Sequence, residues 1–224
     1  PFLAVSADSE LLRAMSTDGQ ITSIEEDVAD PPSLAESTGV VNAAPAWSNG
    51  YTGAGWAVAV LDSGVMKTHS FLSGKVVAEG CYSQTVGSTS LTVCPGGVSQ
   101  STADGAGVNC DPAVSGCAHG THVAGIVAGN GVSSSGVGKG ADIIAMQVFS
   151  RFNGTTDCGS TPAPCMLSYV SDQVRGLERV LALSSSINIA AVNMSLGGGQ
   201  NLAYCDTAQA ARKDFRSSST GYSP

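Results

Sequence analysis

The stretch Trp56-Ala-Val-Ala-Val-Leu61 decides the fold class of this chain. It is an unbroken apolar run, and such runs are typical of strands that are buried on both faces of a parallel sheet. Residues 143–149 and 187–194 have the same character and predict two more buried strands. Residues 119–128 and 168–183, which lie between these strands, are typical of helices. Strands that alternate with helices predict an α/β fold with a doubly wound, mainly parallel sheet.

Length and charge narrow the classes of partner. The chain has 224 residues, which is enough for one substantial domain, and a net charge of −8 at pH 7. We expect no nucleic-acid partner, because the chain is acidic and contains no run of Lys or Arg. The longest apolar run has six residues, far fewer than the roughly 20 that a membrane-spanning helix needs. We therefore expect no membrane span either.

The acidic residues are concentrated at the amino terminus. Residues 1–30 contain seven acidic residues and one basic residue, whereas the remaining 194 residues contain 11 and 9. This segment predicts a strand, a helix that begins at Asp8 or Ser9, and a second strand, too little structure to hold a core. Asp30-Pro31-Pro32-Ser33 then marks a linker or a processing site. We therefore predict two units, residues 1–30 and residues 31–224.

Seven cysteines indicate either disulfides or a metal site. Zinc is the less favoured reading, because the sequence has no C-x-x-C motif and no His-Cys cluster with ligand spacing. Six cysteines allow 15 pairings, so spacing does not fix the connectivity. We nevertheless expect pairing in chain order, because each pair would close one polar loop, and we expect Cys205 to stay unpaired; the pairs are Cys81–Cys94, Cys110–Cys117 and Cys158–Cys165. Disulfides indicate an oxidising compartment, so we expect a secreted, extracellular or periplasmic protein.

Three short motifs carry residues that could perform chemistry. Asp62 directly follows the first apolar strand, where open α/β sheets place their active sites, although an Asp before Gly64 can also simply turn the chain. His119-Gly-Thr-His-Val-Ala-Gly125 offers either two metal ligands, His119 and His122, or one general base at the start of a helix. Asn193-Met-Ser-Leu-Gly-Gly-Gly199 either lets a ligand approach the backbone closely or marks a turn. His69, in a polar loop, is interpreted as a surface residue.

Together and in this order, the three motifs resemble the subtilisin-like (S8) serine peptidases. The resemblance covers residues 47–211 and implies a doubly wound sheet of the subtilisin-like type. It implies that Asp62 is the triad acid and His119 the general base, while His122 lies outside the triad. It also implies that Ser195, Leu196 and Gly197 form the strand that pairs with an extended substrate.

The chain departs from the family pattern in two respects. Asp62 and His119 are 57 residues apart, about 25 more than the subtilisin order has, and the cysteine-bearing stretch supplies the excess. After His119 the chain contains no Gly-Thr-Ser-Met-Ala motif, which would carry the nucleophile. We therefore expect residues 31–224 to be the amino-terminal two thirds of a peptidase domain, with a fold that is incomplete at its carboxyl terminus. Residues 1–30 resemble the end of an inhibitor-like propeptide, a small β-α-β remnant.

The resemblance implies a secreted serine endopeptidase, made as a zymogen, that hydrolyses peptide bonds through an Asp-His-Ser triad. This chain is expected to be inactive by itself because it lacks the nucleophilic Ser. The implied partners are polypeptide substrates and the chain's own propeptide. Calcium is common in the family, but no complete set of oxygen ligands can be assigned. Two alternatives stay open: a non-catalytic peptide-binding or inhibitory module, and a metal hydrolase that uses Asp62, His119 and His122.

Overall fold

The computed structural model describes residues 8–21 and 38–197. The strands in chain order are β1 (Ala57–Asp62), β2 (Val76–Tyr82), β3 (Ser90–Leu91), β4 (Gln100–Ser101), β5 (Asp142–Gln147), β6 (Ser150–Phe152), β7 (Cys165–Leu167) and β8 (Ile189–Asn193). The helices include α1 (Ser9–Thr17), α2 (Ala43–Ser48), α3 (His119–Ala128), α4 (Thr155–Cys158) and α5 (Val170–Leu183). In this described part, no helix is both long enough and apolar enough to cross a membrane.

The central sheet has five strands in the order β4-β2-β5-β1-β8. The four strands β2, β5, β1 and β8 run parallel, and the short β4 is antiparallel to β2. The predicted α/β class with a mainly parallel sheet is therefore confirmed. Along the chain, β2 follows β1, β5 then takes the position between them, and β8 is added on the other side of β1. This reversal of direction at β1 creates a crevice at the carboxyl ends of the strands.

Helices cover the two faces of this sheet, because successive residues of a strand point to opposite sides. Val60 of β1 and Ile143 of β5 pack with Val123 and Ala124 of α3 on one face. Their neighbours on the other face pack with Val180 of α5; these are Ala59, Leu61, Ile144 and Met146. All of these strand residues have at most 1% of their surface exposed. The two layers fix α3 relative to the end of β1.

The predicted helix over 119–128 has the bounds that the structure shows for α3. Two predictions about strands are wrong in detail. Trp56 is 51% exposed and precedes β1, so the buried strand starts one residue later than predicted. The strand predicted over residues 187–194 is β8, and its three central residues are exposed rather than buried. The reason is that β8 is the edge strand of the sheet that the described residues form, and it is hydrogen-bonded only to β1.

The cysteine-bearing loops hold more structure than the sequence indicates. β3, β6 and β7 form a second, antiparallel sheet in the order β3-β6-β7, in stretches predicted only as polar loops. Three disulfides join the cysteine pairs that chain order favours, namely Cys81–Cys94, Cys110–Cys117 and Cys158–Cys165. All six of these cysteines are buried. The strands of this sheet have only two or three residues each, so the disulfides and the buried side chains around them, such as Phe152 and Met166, hold these segments together.

At the amino terminus, Asp8 rather than Ser9 caps helix α1. Its carboxylate accepts hydrogen bonds from the backbone N–H groups of Glu10 and Leu11, at 3.1 and 2.8 Å. The strands predicted on either side of this helix, the proline-containing linker, Cys205 and the helix predicted after Asp206 lie outside the described residues.

Candidate functional site

Asp62 is the last residue of β1 and is completely buried. Its carbonyl oxygen accepts a hydrogen bond from the Val148 N–H at 3.0 Å, which anchors the end of the strand against the chain leaving β5. The carboxylate Oδ1 accepts a second bond from the Ser63 N–H at 2.7 Å. An ionised carboxylate that is removed from water needs such donors. The local fold therefore presents a fixed acid at the switch point of the sheet.

His119 is the first residue of α3, and its ring faces this carboxylate. The Nδ1 atom lies 2.8 Å from Asp62 Oδ1 and 3.0 Å from Oδ2. The His119 side chain is 51% exposed, whereas that of Asp62 is 1% exposed. One edge of the ring therefore meets a buried acid, and the ring is otherwise open enough for a reactant to reach it. Within the described ranges, no serine, threonine or cysteine side chain is hydrogen-bonded to this ring.

Ser63 joins the strand to the helix. Its hydroxyl accepts a hydrogen bond from the Gly120 N–H at 3.1 Å and donates one to the Cys117 carbonyl at 3.3 Å. Helix α3 has no capping side chain at its own N-cap, so the hydroxyl satisfies one of the free N–H groups of its first turn. In addition, the Met66 N–H donates to Thr121 Oγ1 at 2.9 Å. These bonds set the position of His119 relative to Asp62.

Two glycines allow the close approach between helix and strand that this geometry requires. A Cβ on Gly120 would overlap the Gly64 carbonyl oxygen and lie 3.0 Å from Asp62 Cβ. Gly64 itself has a φ of +86°, and a Cβ there would overlap the Val108 carbonyl oxygen. Any larger residue at either position would force the backbones apart.

Gln147 holds the backbone that follows β1 in place through a hydrogen bond to Ser63. It is completely buried at the end of β5, where its Nε2 donates to the Ser63 carbonyl at 2.8 Å and its Oε1 accepts from the Phe149 N–H at 2.7 Å. Sequence reasoning assigned no role to Ser63, Gly120 or Gln147. The available signal for Gln147 was a polar residue in an otherwise apolar strand, but its partner is 84 residues away in the chain.

A charged cluster ties the loop after Asp62 to the cysteine-bearing insertion. Lys67 Nζ donates to Glu79 Oε2 at 2.7 Å and to Asp104 Oδ1 at 2.6 Å, and the Gly105 N–H also donates to Glu79 Oε2. The hydrogen bond to Asp104, followed by the one to Glu79, raises the pKa of Lys67, and the same bond lowers the pKa of Asp104. The ammonium and carboxylate forms are thus favoured together, and they hold residues 103–108 beside the site.

Within the described ranges, the remaining candidate residues of the motifs form no hydrogen bond with the side chains of Asp62 or His119. Ser195, Leu196 and Gly197 follow β8, with Leu196 half-buried and the other two exposed. The Ser195 hydroxyl and the Asn193 side-chain amide are bonded to each other, at 3.0 and 3.1 Å. His122 is exposed on α3, and His69 caps a short turn by accepting a hydrogen bond from the Phe71 N–H at 3.2 Å.

The metal-hydrolase alternative finds no support in this arrangement. Across residues 8–21 and 38–197, no group of three or more His, Cys, Asp or Glu side chains is placed to hold a metal ion. In particular, Asp62 and His119 are paired with each other and do not converge with His122 on a common point. The arrangement instead suits proton transfer by an imidazole that a carboxylate orients.

Comparisons with known proteins find several bacterial proteases among the relatives of this chain. The alkaline protease of Alkalihalobacillus alcalophilus is 34% identical over 203 residues, which cover 88% of this chain and 42% of that protein. The extracellular protease of Xanthomonas campestris pv. campestris is 29% identical over 219 residues, covering 84% and 34%. Subtilisin E of Bacillus subtilis is 27% identical over 200 residues, covering 87% and 42%. The chain thus spans less than half the length of these relatives.

The family model of the subtilases, peptidase S8, matches residues 53–220. This match includes β1 with Asp62, α3 with His119 and the segment that follows β8. Because it covers more than half of the sequence, the chain belongs to the subtilase family of serine peptidases.

Proposed function

We propose that Asp62 and His119 are the acid and the general base of a secreted serine endopeptidase whose nucleophilic Ser lies outside these 224 residues. The observation that supports this assignment is the contact of His119 Nδ1 with both carboxylate oxygens of a buried Asp62, at 2.8 and 3.0 Å. On this proposal the 224-residue chain by itself does not hydrolyse peptide bonds.

The proposed mechanism assigns one task to each side chain. An ionised carboxylate only accepts hydrogen bonds, so Asp62 holds the proton of the neutral imidazole on Nδ1 and leaves Nε2 as the basic atom. Nε2 then removes the proton of the attacking hydroxyl and returns it to the leaving amine, while Asp62 stabilises the imidazolium. The half-exposed position of the His119 ring is what such exchange with a substrate requires.

We further propose that Ser195, Leu196 and Gly197 pair with an extended polypeptide substrate. They directly follow β8, which is the exposed edge strand of the sheet that the described residues form. The edge of a sheet can accept an extended peptide as one more strand. Subtilases commonly bind calcium, and within the described ranges no group of three or more His, Cys, Asp or Glu side chains is placed to hold a metal ion. Calcium therefore enters no step of this proposal.

We propose that residues 1–30 are the end of an inhibitor-like propeptide and that residues 31–224 belong to an incomplete peptidase domain. The support is the excess of acidic residues in the first segment and the Asp-Pro-Pro-Ser sequence that ends it. The three disulfides and the extracellular Xanthomonas relative support secretion. Sequencing the amino terminus of the secreted protein tests the boundary, which we expect between residues 28 and 33.

The experiment that tests the catalytic assignment compares three proteins made from the longer coding region. The parent should react with a serine-directed fluorophosphonate and hydrolyse casein, and His119→Ala should lower turnover by a factor on the order of 10⁴–10⁶. The control is His69→Ala, which removes a histidine outside the site and should retain full activity. Activity of His119→Ala within tenfold of the parent would contradict the assignment, as would labelling of the 224-residue chain itself.

A further inference from the structure

A cavity of about 260 Å³ lies beside the candidate site, between the second sheet and the loop closed by the Cys110–Cys117 disulfide. Its volume is below the roughly 300–1,000 Å³ of sites for drug-sized ligands. A water molecule occupies about 30 Å³ in the liquid. The cavity therefore has room for several water molecules, or for one long side chain in their place. The cavity is therefore suited to a single residue of a larger ligand.

The cavity is connected to His119 through a very short piece of chain. Cys117, which lines the cavity, is two residues before His119, and two residues span at most about 7 Å. The backbone between them is fixed, because the His119 N–H donates to the Gly116 carbonyl at 3.1 Å and the Met166 N–H donates to the Ser115 carbonyl at 3.2 Å. Residues of an extended peptide are about 3.3 Å apart. If a peptide bond of a bound peptide lies at the His119 ring, the side chain of a residue two or three positions away along that peptide would therefore reach the cavity.

Arg151 supplies the charge of this cavity. It lies on β6 opposite Met166 of β7 and Leu91 of β3, so the three side chains share the sheet face that lines the cavity. Its Nε is buried and has no hydrogen-bond partner. Within the described ranges, no carboxylate lies within the 4 Å of an ion pair with its guanidinium. The guanidinium is permanently charged, lines the cavity and has no carboxylate to neutralise it, so the cavity favours an anionic ligand.

Asp111 is the other charged residue of the lining, and it opposes Arg151 only weakly. It is exposed, and its Oδ1 already accepts a hydrogen bond from the Ala113 N–H at 3.0 Å. The negative charge therefore lies where water screens it, whereas the donor atom of Arg151 is buried. The cavity combines a cationic interior with an acidic, hydrated residue at its edge.

We infer that this cavity is a specificity subsite in which Arg151 binds the carboxylate of a Glu or Asp side chain of a peptide lying along His119. The inference rests on the proposed function, because it takes the peptide as a substrate of that same site. A planar guanidinium can donate two parallel hydrogen bonds to a carboxylate, whereas the neutral side-chain amide of Gln offers a single acceptor oxygen and no negative charge. Acidic peptides should therefore bind more tightly than their amide counterparts.

The test measures binding by the 224-residue chain, so it needs no nucleophile. Fluorescein-labelled Ala-Ala-Glu-Glu-Leu amide and Ala-Ala-Gln-Gln-Leu amide are titrated by fluorescence anisotropy. We expect the Glu peptide to bind about tenfold more tightly. Arg151→Gln should abolish this preference, and Lys139→Gln, which removes a charge beside the Trp47 ring, should preserve it. Asp111→Asn should increase the preference and keeps the acceptor for Ala113, so it tests the inference even where Arg151→Gln does not fold.

The outcomes separate the subsite from the proposed function. Equal binding of both peptides, or an unchanged preference in Arg151→Gln and Asp111→Asn, overturns the subsite and leaves peptide binding at the site intact. Failure of both peptides to bind overturns the subsite and also counts against the proposed peptide cleft. A preference for the Glu peptide that follows the charge at positions 151 and 111 supports the assignment.

Discussion

Replacing Gly120 by Ala should separate the two residues of the candidate catalytic pair. The added Cβ would overlap the Gly64 carbonyl oxygen and lie 3.0 and 3.1 Å from Cβ and Oδ1 of Asp62. The overlapping atom belongs to the backbone, so no side-chain rotation can relieve the contact. Helix α3 must then move away from the end of β1, and the bonds from His119 to Asp62 and from Gly120 to Ser63 lengthen or break.

The magnitude can be isolated with a matched control on the same helix. A Cβ on Gly125 would lie 3.4 Å from Phe71 Cδ1, an ordinary van der Waals contact. Both substitutions share a gain in helix propensity of up to about 1 kcal/mol. The difference between them therefore reports the clash, and overpacking of this kind costs about 1–3 kcal/mol. Gly125→Ala should be as stable as the parent or slightly more stable, and Gly120→Ala should be less stable than Gly125→Ala by that amount.

Urea unfolding followed by circular dichroism measures both free energies. Equal free energies of unfolding for Gly120→Ala and Gly125→Ala would refute the reasoning, because the close approach of α3 to β1 would then be absent in solution. In the longer coding region, the same pair should differ in activity: Gly120→Ala should lose peptidase activity, and Gly125→Ala should retain it.

Three further predictions concern the stability of the fold. Ser63→Ala should lower the free energy of unfolding by about 0.5–2 kcal/mol, because helix α3 loses its capping hydroxyl, and urea unfolding measures this loss. The double substitution Cys110→Ser and Cys117→Ser should cost about 2–3 kcal/mol from the short loop that it opens; an unchanged unfolding midpoint would show that this disulfide is not formed. Burial raises the pKa of Asp172, so the native state binds its proton more tightly than the unfolded state. The stability of the parent minus that of Asp172→Asn should therefore fall as pH rises above about 4, with Glu178→Gln on the same helix as the control for a lost charge.

The sequence predicts those parts of the fold that depend on local pattern. The strand before Asp62 is recognisable because burial on both faces gives an unbroken apolar run, and the helix from His119 to Ala128 because its residues are small and apolar. The same patterns place an acid at the end of a strand and a histidine at the start of a helix.

The missed features depend on contacts between distant segments. Ser63 meets Cys117 and Gly120 across 54 and 57 residues, and Gln147 meets Ser63 across 84. The second sheet, β3-β6-β7, consists of strands of two or three residues, too short to show alternation. The exposure of β8 depends on which elements cover it, and that information is absent from its own apolar sequence.

The most direct test of the catalytic pair is the tautomer of the His119 ring in the folded chain. Nitrogen-15 NMR of histidine-labelled protein, at a pH where the ring is neutral, distinguishes a protonated from an unprotonated ring nitrogen, and His119→Gln identifies the signal. If Asp62 orients the ring, Nδ1 carries the proton and Nε2 is unprotonated, and Asp62→Asn disturbs this state. A ring that is protonated on Nε2, or one that does not respond to Asp62→Asn, would contradict the assignment of His119 as a base oriented by Asp62.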